Sequence, residues 1–134
     1  MNRSILFAAA LLLVAPAAVA AAKTLKPLKT WTGRMPLVIP PLVQSSVVDA
    51  NVWQQVWATC QLKGAPAAVD FNKRIVLVVV RRANAVKFSS IRLDNGNVTT
   101  GVAVASGQPN HQTCALAMID RAGVDTVNGQ ALGR

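Results

Sequence analysis

The side chains able to support chemistry are few: one histidine, His111, two cysteines, Cys60 and Cys114, and five acids, all of them aspartate. Catalysis needs a partnered set, either a nucleophile with a base or two acids whose pKa values are held apart. His111 and Cys114 come nearest to such a pair. They are three residues apart at the start of an expected strand, where that spacing sends side chains to opposite faces. Glycoside hydrolysis needs two facing carboxylates. Asp49, Asp94, Asp120 and Asp125 instead fall at expected turns and strand ends. Asp70 reads as a turn residue whose carboxylate satisfies loop amides. His111, Cys60 and Cys114 supply three zinc-type donors, but no fourth is evident and no Cys-x-x-Cys spacing occurs. There is no glycine-rich phosphate loop. The expectation is a chain that is not an enzyme, with no metal and no cofactor.

Charge offers a different route to function. Fourteen basic and five acidic side chains give a net charge of +9. Such a balance suits an anionic partner: nucleic acid, lipid headgroups or a cell-wall polymer. The basic residues are scattered, however, as they are on a solvated surface. Arg74, Arg81 and Arg82 flank a valine-rich run and are the candidate anion-binding residues. Base stacking would require aromatic residues interleaved with basic ones on a strand. Only Phe88, with Lys87 and Arg92, approaches that, so there is no specific nucleic-acid signal. Asn97-Val98-Thr99 is a glycosylation sequon, relevant only in a eukaryotic secretory pathway.

Residues 1–22 read as an export signal. Arg3 gives a positive start, Ile5 to Val14 an apolar middle, and Ala18-Val19-Ala20 a cleavage pattern after Pro16. Cleavage fits after Ala20 or after Ala22. The apolar stretch is shorter than the about 20 residues of a spanning helix, so no membrane span is expected once the signal is removed. Removing Arg3 leaves 13 basic side chains against five acidic, a net of +8. In an oxidising periplasmic or extracellular location, Cys60 and Cys114 are expected to form one disulfide, with two buried thiols as the alternative.

These residues must be positioned by a small number of elements. Trp53, Val56, Trp57 and Cys60 recur at i, i+3, i+4 and i+7, one face of an amphipathic helix. Asp49 is placed to cap it, and Gly64 and Pro66 to end it. Ile75 to Val80 is an unbroken apolar run rich in β-branched residues, the pattern of a strand covered on both faces. Residues 23–46 form a basic, proline-bearing lead-in with one short strand over Trp31 to Arg34. Val47 and Val48 suit a brief strand before the helix. The parity of Val86 and Phe88 differs from that of Ile91 and Leu93, which predicts a bulge near Ser89 and Ser90. Asn95-Gly96 is a hairpin turn. Cys114 to Ile119 is an inner strand, and Val124 to Val127 a last short one before Asn128-Gly129. The fold class expected is α+β: one amphipathic helix packed on an antiparallel meander sheet of about five strands, formed by residues 47–134. The proline-rich segment is the candidate cover for the far face of the sheet.

The pattern VDANVWQQVWATC, then PAAVDFNKRIVLVVV, then RAGVDTVNGQAL resembles a family of small exported bacterial proteins of unknown function, often seen in planctomycetes. The matching pieces are Trp53, Trp57, Val69-Asp70-Phe71, Ile75 to Val80 and Gly123 to Gly129. The helix-to-strand part is also similar, more weakly, to the C-terminal domain of the spirochaete protease-complex subunit PrcB. The resemblance implies a fold and supplies no catalytic residues. The function expected is an exported module that binds a protein or an envelope component. The alternatives are anionic-polymer binding through the basic surface and, last, a small hydrolase.

Overall fold

The computed structural model describes residues 22–37 and 44–134, so the export-signal segment and most of the proline-rich segment lie outside the described residues. In chain order the elements are β1 (Lys23–Thr24), β2 (Lys29–Pro36), β3 (Ser46–Val47), α1 (Ala50–Thr59), β4 (Arg74–Arg81), β5 (Val86–Asp94), β6 (Asn97–Val104), β7 (His111–Asp120), β8 (Thr126–Val127) and β9 (Gln130–Ala131). Among the described residues the fold is α+β in the broad sense, with one helix and mostly antiparallel strands. The arrangement differs from a single five-stranded meander. The strands divide into two sheets, ordered β1-β5-β6-β8-β9 and β2-β7-β4-β3, and β6 pairs with β8 in parallel.

The central strand explains the difference. β4 buries Ile75 through Val79 because alternate residues enter two separate cores. Val76 and Val78 pack with Leu116, Trp53, Val56 and Trp57 beneath the helix. Ile75 and Leu77 pack with Ala117, Ile119, Ile91, Val98 and Val127 against the other sheet. The layers are therefore helix, sheet, sheet. The second sheet covers the face assigned above to the proline-rich segment. β4 pairs along its whole length with β7, from Arg74↔Asp120 to Arg81↔Thr113, and not with β5, its successor in sequence. The β5–β6 hairpin leaves this ladder and builds the outer sheet.

The lead-in contributes two strands. β2 is longer than the short strand expected and pairs with β7 over eight residues, Lys29↔Met118 to Pro36↔His111. β1 pairs with β5 at Lys23↔Leu93 and Thr24↔Arg92. Between them the chain crosses from one sheet to the other, with Leu25 donating to Ile91 and Leu28 to Met118, both at 2.8 Å.

The helix begins as its sequence dictates. The Asp49 carboxylate accepts from the Val52 amide at 2.8 Å. It ends earlier than Gly64, because Cys60 is already the C-cap and Gln61 takes a φ of 54°. Trp53 and Trp57 are 3% and 8% exposed, and Trp31 from β2 completes a three-indole cluster with centroids 5.2 to 6.0 Å apart. Each buried indole N–H has a partner in the loop after the helix: Trp53 donates to the Ala67 carbonyl at 2.8 Å and Trp57 to that of Gly64 at 3.1 Å. The two residues that fill the seam thus hold the loop that leads to β4.

Candidate functional site

Two strand edges face one another at one side of the sandwich. β2 is the edge of its sheet. β5 is flanked by β1 only at Arg92 and Leu93, so among the described residues its first half, Val86 to Ser90, is paired on the β6 side alone. The gap between them is a groove of about 480 Å³, within the size range of small-ligand sites. Thr30, Trp31 and Thr32 form one wall and Val86 to Ile91 the other. Thr24 to Pro27 crosses its end, and Ala115 and Leu116 of β7 complete the lining.

Each wall has a local cause. On β5 the register shifts between Phe88 and Ser90, as the parity switch in the sequence predicts. The bulge twists the strand and interrupts its ladder. On β2 strand alternation sends Trp31, Gly33 and Met35 to the helix side, where Trp31 and Met35 pack in the helix-facing core. Thr30 and Thr32 take the opposite side and remain exposed. The lining is mostly apolar, with Leu25, Pro27, Val86, Phe88 and Ile91 among its members. Among the described residues its charged members are Lys26 and Lys87, both exposed, and no acid contributes to it. Lys29 lies nearby, its ammonium 5.5 Å from the Trp31 ring centroid.

The residues singled out in the sequence do not converge on this groove. Arg74 and Arg81 lie at opposite ends of β4, roughly 23 Å apart at the usual rise per residue. Arg74 is ion-paired with Asp120. Arg82 donates to the Pro109 carbonyl at 3.0 Å, and Arg81 to that of Val80 at 2.9 Å. The three arginines therefore do not form one anion site. Among the described residues no three His, Cys or Asp side chains gather as a metal-binding group. His111 and Cys114 alternate to opposite faces of β7, and the His111 Nε2 atom is buried without a hydrogen-bond partner among the described residues.

Cys60 and Cys114 are brought together, both fully buried, but as free thiols and not as the expected disulfide. They meet where the helix C-terminus lies on the β2–β7 ladder, opposite Gly33. The two thiols lie within hydrogen-bonding reach of each other. Their hydrogen bond, then burial and the neighbouring charge, push Cys60 far above the ordinary thiol range. The same bond pulls Cys114 down against the opposing effect of burial.

Sequence reasoning missed the groove. Its walls come from the lead-in, β2 and β5, which are remote in sequence. The local signals were the bulge at Ser89 and the apolar Leu25 and Pro27 within a basic stretch. Among the described residues no helix is long and apolar enough to cross a membrane. No family model matches the chain, and no characterised protein or solved structure shows significant similarity to it.

Proposed function

We propose that this chain is an exported, non-enzymatic module that binds a protein or an envelope component, and that the groove between β2 and β5 is where the partner engages. One observation carries the reading: a concave, largely apolar cleft lies between two strand edges, with lysines as its charged residues among the described ones. Concave apolar sites with a few polar groups are the usual form of a binding site. The export-signal pattern and the likeness to small exported bacterial proteins support the location. The dispersal of the arginines favours the groove over a continuous basic track for an anionic polymer.

The test is capture from the organism's own envelope extract by the mature chain, at low and high salt, beside Thr30→Trp. Thr30 is exposed on the groove wall, so a larger side chain there fills the cleft without touching the core. The expected result is a defined component retained at high salt and lost with Thr30→Trp. Capture that disappears steeply with salt and is indifferent to Thr30→Trp overturns the reading in favour of polymer binding.

A further inference from the structure

The chain contains two Asn-Gly pairs, Asn95-Gly96 and Asn128-Gly129. Both form tight turns with nearly the same backbone angles, φ 47° and 80° at the first and 48° and 77° at the second. Both asparagines are exposed. Such a pair has an internal reaction open to it. The main-chain nitrogen of the glycine attacks the side-chain carbonyl of the asparagine, and ammonia leaves. Water then opens the cyclic imide to aspartate or isoaspartate. Glycine favours the attack because it has no Cβ to obstruct the approach or restrict the backbone.

The two turns differ in what holds the reacting groups. At the second, Thr100 clamps the side chain of Asn128. The Thr100 amide donates to Asn128 Oδ1 and the Thr100 hydroxyl accepts from Nδ2, both at 3.0 Å. The Gly129 nitrogen, which would be the nucleophile, donates to Asn97 Oδ1 at 3.0 Å. Electrophile and nucleophile are thus both tied to β6. At the first turn, among the described residues, neither the Asn95 carboxamide nor the Gly96 N–H has a hydrogen-bond partner. The Gly96 carbonyl alone is engaged, accepting from the amides of Asp125 and Thr126.

We propose that Asn95 is a site of spontaneous deamidation, and that Asn128, in the same dipeptide and the same kind of turn, is protected by its hydrogen bonds. The step consumes water and releases ammonia, and needs neither an oxidant nor an enzyme. Its product disturbs the fold locally. Isoaspartate threads an additional methylene through a two-residue turn. Either product places a new carboxylate next to Asp94 and to Gly96, against which the Asp125 carboxylate lies. Like charges so close repel one another. The turn then loosens its hold on the segment before β8, which hangs on the Gly96 carbonyl. The proposal goes beyond the binding role of the groove and does not depend on it.

The experiment is incubation of the mature chain at mildly alkaline pH, followed by tryptic digestion and mass spectrometry. Cleavage after Arg92 and Arg121 puts the two sites on separate peptides, 93–121 and 122–134. Fragmentation distinguishes Asn95 from Asn97 and Asn110 on the first. In the native chain, conversion at Asn95 is expected to run at least about tenfold faster than at Asn128, where hydrogen bonds must break before attack. In urea, where neither turn persists, the two rates should converge. Thr100→Val removes the hydroxyl partner of Asn128 and should speed conversion there while leaving Asn95 unchanged. Equal rates in the native chain, faster conversion at Asn128, or an inert Asn95 in a chain that converts in urea would overturn the proposal. An Asn128 rate unmoved by Thr100→Val would overturn the protection assigned to its clamp. The native comparison needs no variant, so it decides the matter even if Thr100→Val fails to fold.

Discussion

Gly33 lies so close to Cys60 that a side chain on it would overlap the Cys60 carbonyl. The contact is where the end of α1 settles on β2, and it sets how near the helix approaches the sheet. Glycine is needed there for space, not for an unusual backbone angle. Gly33→Ala should force the helix terminus outward and cost about 1–3 kcal/mol, the usual penalty for overfilling a packed site. Urea denaturation checks it through a lowered midpoint at unchanged slope.

Trp53 joins three parts of the fold: the helix, the indole cluster and the carbonyl of Ala67. Trp53→Ala should therefore destabilise by about 3–5 kcal/mol through the cavity it leaves. Trp53→Phe keeps a ring but strands the Ala67 carbonyl, and a lost hydrogen bond of this kind costs on the order of 1 kcal/mol. The phenylalanine variant should show faster amide exchange at residues 64–68 than elsewhere, a local loosening that hydrogen-exchange mass spectrometry resolves.

The β5–β6 turn has Asn95 and Gly96 at φ 47° and 80°, the pair of positive angles a two-residue hairpin requires. Gly96 also accepts from the Asp125 amide at 2.7 Å, tying the hairpin to the segment before β8. Gly96→Ala meets both difficulties, since its new carbon would also collide with the Asp125 carboxylate. A loss of about 1–3 kcal/mol is expected. Asn95→Ala, which leaves that contact alone, should cost less. Thermal melts of the two variants order them.

The thiol pair predicts a dependence on pH. In the folded chain neither cysteine should react with an aromatic disulfide reagent, whereas denaturant should expose both. The unfolded thiols ionise near about 8.5. Cys60 is raised in the fold, so the stability it contributes is complete below that value and is lost as pH rises beyond it. Cys114 is lowered, so its contribution is present above the same value and is lost as pH falls through its folded one. Together they place a maximum near the ordinary thiol range with a decline above it. The urea midpoint of the native chain should therefore drop more between pH 8.5 and 10.5 than that of Cys60→Ala/Cys114→Ala.

Much of the architecture is legible one residue at a time. The spacing of Trp53, Val56, Trp57 and Cys60 gives the helix face, and Asp49 its cap. The run Ile75 to Val79 is covered on both faces, and the bulge and the Asn95-Gly96 turn fall where residue types place them. These are local properties, decided by periodicity and backbone preference. The pairing of β4 with β7 is not local. A meander and a ladder closed around a hairpin share the same hydrophobic alternation, so periodicity cannot separate them. The groove inherits the same blindness, because Thr30 and Phe88 come to line one cleft only once the two sheets are stacked.

The closing of β4 on β7 around an intervening hairpin bears on how quickly the chain reaches its native state. The β5–β6 hairpin can form within about 1–10 μs, as isolated hairpins do. The inner ladder must then join Arg74 to Asp120 and Arg81 to Thr113 across everything between them. Topologies dominated by such distant pairings fold in about milliseconds to seconds, with loop closure preceding the reward of contact. During that interval the apolar edge of β4 is open to other chains, so refolding yield should fall with rising protein concentration even where the finished fold is stable.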